Sequence, residues 1–137
     1  MEAAQPVPTR LKLSVLWAAT LFCYVYADYF QLFRKGKLAE MNQGLIMPLG
    51  EASETVLLGV SVMMSLPSLM VALSLILPAR LSRWANVSVG LLFTLIQGAT
   101  MIGGAPLFYL YFGTVEMIMT LLIAWTAWRW REGPSLG

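Results

Sequence analysis

The sequence predicts an all-α fold, an antiparallel bundle of four transmembrane helices in a single domain. Hydrophobic residues make up 58% of the 137 residues and charged residues only 12%, against about 25% charged in soluble domains. The mean hydropathy is +0.72. A water-soluble fold could not cover its surface with so few ionic groups, so lipid is the expected solvent.

The first span is predicted at residues 13–33, between Lys12 and Arg34. At about 1.5 Å per residue it extends about 31 Å, enough to cross a hydrocarbon core of about 30 Å. The alternative is a secretory signal peptide with residues 13–24 as its apolar region. The apolar pattern continues past the cleavage site that such a peptide would use, which favours a retained span.

The other three spans are predicted at residues 52–77, 84–102 and 107–128. Residues 34–51 contain several glycines and a proline and form the longest connection, with an apolar patch at residues 45–47 that could lie in the membrane interface. Pro67 should kink the second span. Residues 78–86 are interpreted as a connection. The Gly-Gly-Ala-Pro sequence at residues 103–106 separates the last two spans.

The basic residues predict the orientation. Two lie in each of the N-terminal arm, the second connection and the C-terminal end: Arg10, Lys12, Arg80, Arg83, Arg129 and Arg131. Only the first connection disagrees, because it places three basic residues at the opposite side, against Glu40, Glu51 and, at the start of the second span, Glu54. We therefore expect a multi-pass protein of the inner (cell) membrane with both termini cytoplasmic. Tryptophans near the basic ends and Tyr109 near the other side fit interfacial aromatic belts.

A few polar residues interrupt the apolar spans, and they are the candidate ligand- or ion-binding residues. Asp28, Gln97 and Glu116 come from three spans, with Tyr24 and Tyr109 on neighbouring helix faces. A charged side chain at mid-bilayer costs about 2.5–3.5 kcal/mol on insertion scales, and such residues are typically functional. We expect the two acids to share a cleft open to the outer side and either to hold a proton or to attract a cation. The alternative is a hydrogen bond that only fixes helix register.

Two features of the second span have structural interpretations. Glu54 is a further binding candidate, but an acid in the first turn complements the helix dipole, and Ser53 could cap the helix. A stripe of small residues follows the span: Ser61, Ser65, Ser68 and Ala72. Close helix packing explains this stripe better than a pore lining does.

Composition argues against several functions. The chain has no histidine and one cysteine, so histidine-dependent triads, haem and zinc sites are not expected. The nine methionines fit apolar packing better than copper binding. The net charge of +2 is too small and dispersed for nucleic-acid binding. We predict no catalytic residues, no metal, no cofactor and no enzyme activity.

Several motifs resemble an uncharacterised bacterial family of small four-span proteins that is loosely grouped with DoxX-like membrane proteins. They are Leu-Trp at 16–17, Tyr-Val-Tyr-Ala-Asp at 24–28, Arg-Trp-Ala-Asn at 83–86, Glu116, and Ala-Trp-Thr-Ala-Trp-Arg-Trp at 124–130. The DoxX-like resemblance implies at most an accessory role near quinone-linked redox enzymes. The span order is more faintly similar to the EXPERA group of sterol isomerases, whose histidine-dependent features have no counterpart here.

The leading functional hypothesis is a proton- or cation-coupled transporter or channel that uses the intramembrane carboxylates. Two alternatives remain open: a non-transporting pocket for an apolar amine, lipid or quinone, and an accessory subunit of a membrane complex. We also expect a homo-oligomer, because a chain of 15.2 kDa encloses little space on its own.

Overall fold

The computed structural model describes residues 5–131, which are mostly helical. The elements in chain order are α1 (Thr9–Gln31), α2 (Lys37–Asn42), β1 (Leu45–Ile46), β2 (Gly50–Glu51), α3 (Glu54–Ile76), α4 (Ala79–Thr100) and α5 (Leu107–Trp128). Four long helices carry the fold, and the two strands form a small antiparallel pair. The predicted all-α class is therefore confirmed for the main body of the chain.

Helix α4 begins earlier than the sequence indicated. The predicted connection over residues 78–86 is wrong, because Pro78 has extended backbone angles (φ −54°, ψ 146°) and the helix starts at the next residue. Proline is suited to this position, since it fixes φ and has no N–H to leave unpaired. The end of the charged segment at Arg83 marks a change in hydropathy inside α4 and not the start of the helix.

The turn between α4 and α5 agrees with the sequence. Gly103 and Gly104 adopt φ values of 90° and 96°, a region that glycine enters without steric cost. Pro106 is the extended residue immediately before α5. The Gly-Gly-Ala-Pro turn is therefore confirmed.

The connection between α1 and α3 is more ordered than predicted. Gly36, at φ 85°, immediately precedes the short helix α2. A hydrogen bond from the Ala52 amide to the Gly44 carbonyl (2.7 Å) joins the two residues that flank the strand pair. Two-residue strands are too short to produce an alternating sequence pattern. The predicted cap of α3 is confirmed, because the Ser53 hydroxyl accepts a hydrogen bond from the Val56 amide (3.2 Å).

Each long helix packs against two others: α1 contacts α3 and α5, and α4 contacts α3 and α5. Arg10 donates to the Leu77 carbonyl (2.5 Å) and Arg83 donates to the Trp128 carbonyl (2.8 Å). The starts of α1 and α4 therefore lie beside the ends of α3 and α5. We call this the basic end. The apolar core lies near it and consists of Leu13, Trp17, Met70, Val87, Ile123 and Ala127.

The distribution of polarity is inverted relative to a soluble protein. Buried positions include serine, threonine, asparagine, glutamine and glutamate side chains, whereas many leucines and aromatic residues are exposed. Helices α1, α3 and α5 are each long and apolar enough to cross a bilayer. Helix α4 does not reach the same hydropathy, since it carries Arg80 and Arg83 in its first two turns. The sequence-based prediction of a membrane protein is supported at this level.

Candidate functional site

Helices α4 and α5 approach closely along a seam of small and polar residues. A Cβ on Gly90 would lie 3.1 Å from the Thr120 carbonyl oxygen and 3.3 Å from the Ala124 amide nitrogen. Nearby, the hydroxyls of Thr94 and Thr120 share a buried hydrogen bond of 2.7 Å. Glycine and threonine at these positions let the two backbones come together. The seam thereby fixes which residues of α4 face α5 further along.

Beyond the threonine pair lie three polar side chains with buried atoms, which we call the interior polar cluster: half-buried Tyr24 of α1, and buried Gln97 of α4 and Glu116 of α5. Gln97 is 6% exposed and Glu116 is 2% exposed. The Gln97 Nε2 atom lies 2.8 Å from the position of a Cβ on Gly113. Since Gly113 is three residues before Glu116, the amide rests on the face of α5 that carries this carboxyl group.

Each member of the interior polar cluster has a buried atom with no hydrogen-bond partner among residues 5–131: the Tyr24 hydroxyl, Gln97 Nε2 and Glu116 Oε1. A buried polar group without a partner costs about 1–3 kcal/mol, so native proteins rarely leave one without a reason. Here three such atoms come from three helices. Together they offer a carboxyl oxygen, an amide donor and a hydroxyl that can donate or accept.

Asp28 lies at the edge of this region. It is one helical turn after Tyr24 on α1 and is exposed, but its carboxyl group is within electrostatic range of Glu116. It is also within electrostatic range of Lys37, at the start of α2. The ordered connection between α1 and α3 therefore brings Lys37 close enough to act on the Asp28 carboxyl group.

The two remaining predicted site residues are placed differently. Tyr109 is half-buried in the first turn of α5 and within electrostatic range of Tyr24. Glu54 is exposed in the first turn of α3, and no hydrogen bond joins it to the interior polar cluster in the part of the chain that the structure describes. The structure thus brings together Tyr24, Gln97 and Glu116, with Asp28 and Tyr109 nearby.

A groove of about 430 Å³ lies between α1 and α5, away from the basic end. It is lined by Phe30, Phe33, Arg34, Phe108 and Phe112, and the rings of Phe30 and Phe112 stack with centroids 6.1 Å apart. The sequence predicted a cleft between these two helices that the acids would share. The groove is in that place, but aromatic side chains line it and neither Asp28 nor Glu116 does.

A second polar network, nearer the basic end, has its bonds satisfied. Asn86 is fully buried, and its Oδ1 accepts from Trp17 Nε1 (2.8 Å) and the Ser74 hydroxyl (3.2 Å), while its Nδ2 donates to the Ser82 carbonyl (2.8 Å). It links α1, α3 and α4 and is structural. This role was not predicted, because Asn86 falls in the predicted connection over residues 78–86. Its position three residues after Arg83, within an otherwise apolar segment, was the available signal.

The small-residue stripe of α3 faces away from the other helices. Ser61, Ser65, Ser68 and Ala72 are all exposed, and the three hydroxyls bond to carbonyls of their own helix. The sequence predicted that this stripe mediates close helix packing. Within one chain that prediction is wrong, because the stripe contacts no other helix closely enough to be buried. Within residues 5–131, no group of three or more cysteine, aspartate or glutamate side chains is arranged to hold a metal ion.

Comparison with known proteins gives a family without an assigned activity. No curated protein and no solved structure matches the chain. The family model DUF6326, described as a family of unknown function, matches residues 8–135. Because this match covers nearly the whole sequence, the chain belongs to the DUF6326 family.

Proposed function

We propose that the protein is an antiparallel four-helix transmembrane bundle that binds a proton or small cation at the interior polar cluster and acts as a transporter or channel. The length and apolarity of α1, α3 and α5 support the membrane assignment. Helix α4 packs between α3 and α5, which supports a fourth span. The basic end then faces the cytoplasm of a cell with an inner membrane, since basic residues concentrate on that side.

The observation that carries this proposal is a set of three unpartnered buried polar atoms from three helices, with Gln97 against Gly113 and Tyr24 within electrostatic range of Glu116. In the proposed mechanism, exposed Asp28 attracts the proton or cation from the outer side. Glu116 then binds it in the interior, with Gln97 and Tyr24 as hydrogen-bonding partners and Tyr109 as a neighbour of Tyr24. No enzymatic step is proposed, because these residues form no pair of nucleophile and base.

The proposal can be tested by measuring flux in liposomes that contain the purified protein. We expect a proton or monovalent-cation flux that Glu116→Gln abolishes, since the amide keeps the shape of the side chain but cannot take up the charge. Glu51→Gln is the matched control, because Glu51 is an exposed acid on β2, and this variant should retain the flux. Equal flux in wild type and Glu116→Gln would refute the proposal.

A second candidate function is a non-transporting pocket for a lipid, quinone or apolar amine. The aromatic groove between α1 and α5 favours it, because four phenylalanines provide an apolar surface of ligand size. In this case a short-chain quinone or a lipid should bind saturably without flux, and Phe112→Ala should weaken binding. An amine would place its head group on Asp28 instead, so Asp28→Asn would remove amine binding only.

We further propose that copies of the chain associate, or that the chain joins a larger membrane complex in the accessory role implied by the DoxX-like resemblance. The exposed serine-containing stripe of α3 supports lateral contact, because small residues allow close approach between membrane helices. Replacing Ser65 with leucine should then reduce self-association in detergent, measured by light scattering. An unchanged mass would count against contact through α3.

A further inference from the structure

At the basic end, three arginines and two tryptophans surround an open space of about 590 Å³. The lining residues are Arg83, Trp128, Arg129, Trp130 and Arg131, and we call this space the basic groove. It is formed by the second turn of α4 and by the residues that end and follow α5. It is well separated in the chain from Glu116 and does not belong to the interior polar cluster.

The basic groove has an excess of positive charge. The one ion pair within residues 5–131 joins Lys37 and Glu40, on the other side of the molecule, and none of the carboxylates in this same range lines the groove. Arg83 is fixed by hydrogen bonds to the Ala127 and Trp128 carbonyls (3.2 and 2.8 Å). These bonds use Nε and Nη2, and the remaining nitrogen, Nη1, makes no hydrogen bond to the described residues. The groove therefore presents guanidinium donors that suit an anion.

The aromatic residues indicate at which level of the membrane an anion in the groove would lie. Trp84 and Trp128 contact each other edge to face, with ring centroids 5.8 Å apart, and Arg129 lies over the Trp125 ring at 5.5 Å. Tryptophans concentrate at the level of lipid head groups. Guanidinium groups bind phosphate oxygens in bidentate geometry. Basic pockets between membrane helices are typical binding places for phosphorylated lipid head groups.

From these observations we infer that the basic groove binds the phosphate head group of an anionic phospholipid in the adjacent leaflet. Arg129 and Arg131 contact the phosphate, and Arg83 offers Nη1 from its fixed position. The tryptophan rings pack against the glycerol region. Next to the groove, exposed apolar side chains of α5, such as Leu121, Leu122 and Trp125, provide a surface for the acyl chains.

The test is thermal unfolding of the detergent-purified protein with added phosphatidylglycerol, phosphatidylcholine or inorganic phosphate. Phosphatidylglycerol should raise the melting temperature by several degrees, and the other two additions should not. The double variant Arg129→Gln/Arg131→Gln should weaken the apparent affinity for phosphatidylglycerol about tenfold or more. Arg83 is left intact, because its bonds to α5 contribute to folding.

Lys12→Gln/Arg80→Gln is the matched control. Both residues are exposed near the basic end and lie outside the groove lining, so this variant loses the same charge and should keep the response. Equal weakening in both double variants would overturn the proposal, because it would indicate general charge attraction. An equal response to phosphatidylcholine or to inorganic phosphate would also overturn it.

Discussion

Replacing Gly90 with alanine should destabilise the protein, whereas the same replacement at Gly98, two turns further along α4, should not. A Cβ on Gly90 meets backbone atoms of α5 at 3.1 and 3.3 Å, closer than ordinary contact. At Gly98 the nearest atom is the end of the flexible Met117 side chain, at 3.5 Å. The two variants therefore make one chemical change in two different surroundings.

The expected magnitudes follow from two opposing effects. Alanine is favoured over glycine inside a helix by about 1 kcal/mol, and this gain applies at both positions. Overpacking typically costs about 1–3 kcal/mol. It applies at Gly90, because the neighbouring Thr120 is held by its hydrogen bond to Thr94 and α5 cannot easily move away. We expect Gly90→Ala to lose roughly 1 kcal/mol and Gly98→Ala to gain up to about 1 kcal/mol.

The difference can be measured by equilibrium unfolding in mixed micelles with increasing sodium dodecyl sulfate, followed by far-ultraviolet circular dichroism. The free energies of unfolding of the two variants should differ by roughly 2 kcal/mol, with wild type between them. If Gly90→Ala is as stable as Gly98→Ala, the close approach of α4 and α5 at Gly90 is wrong, and so is the register that places Gln97 beside Gly113.

Two further predictions concern buried hydrogen bonds, which contribute about 0.6 kcal/mol on average between membrane helices. Trp17→Phe removes the donor to Asn86 and should cost about 1 kcal/mol in the same unfolding assay, whereas a neutral result would show that this bond does not link α1 to α4. In a double-mutant cycle, Thr94→Val and Thr120→Val should couple by roughly 0.6 kcal/mol. Strict additivity of the two changes would exclude a direct bond.

The sequence predicted those parts of the fold that depend on local chemistry. The turn at Gly103 and Gly104 and the cap at Ser53 were predictable, because a positive φ and an N-cap each require particular residue types. The start of α4 was not predictable in this way, since the change in charge after Arg83 lies inside the helix and does not mark its boundary. The helix α2 and the strand pair were missed, because their hydrogen bonds join segments too short to show periodicity.

The site was predicted as a set of residue types but not as an arrangement. Asp28 and Glu116 are equivalent by sequence, as each is an acid in an apolar span. The rotation of each helix distinguishes them, and it leaves Asp28 exposed while Glu116 is 2% exposed. The position of Gln97 against Gly113 depends on the register between α4 and α5, which the close contact at Gly90 sets. No local pattern contains this information.

The most direct measurement is the infrared difference spectrum of the reconstituted protein between two pH values, and between low and high concentrations of a monovalent cation. We predict a change in the carboxyl or carboxylate bands of Glu116 that disappears in Glu116→Gln and persists in Glu51→Gln. An identical difference spectrum in wild type and Glu116→Gln would show that the interior polar cluster binds neither a proton nor a cation.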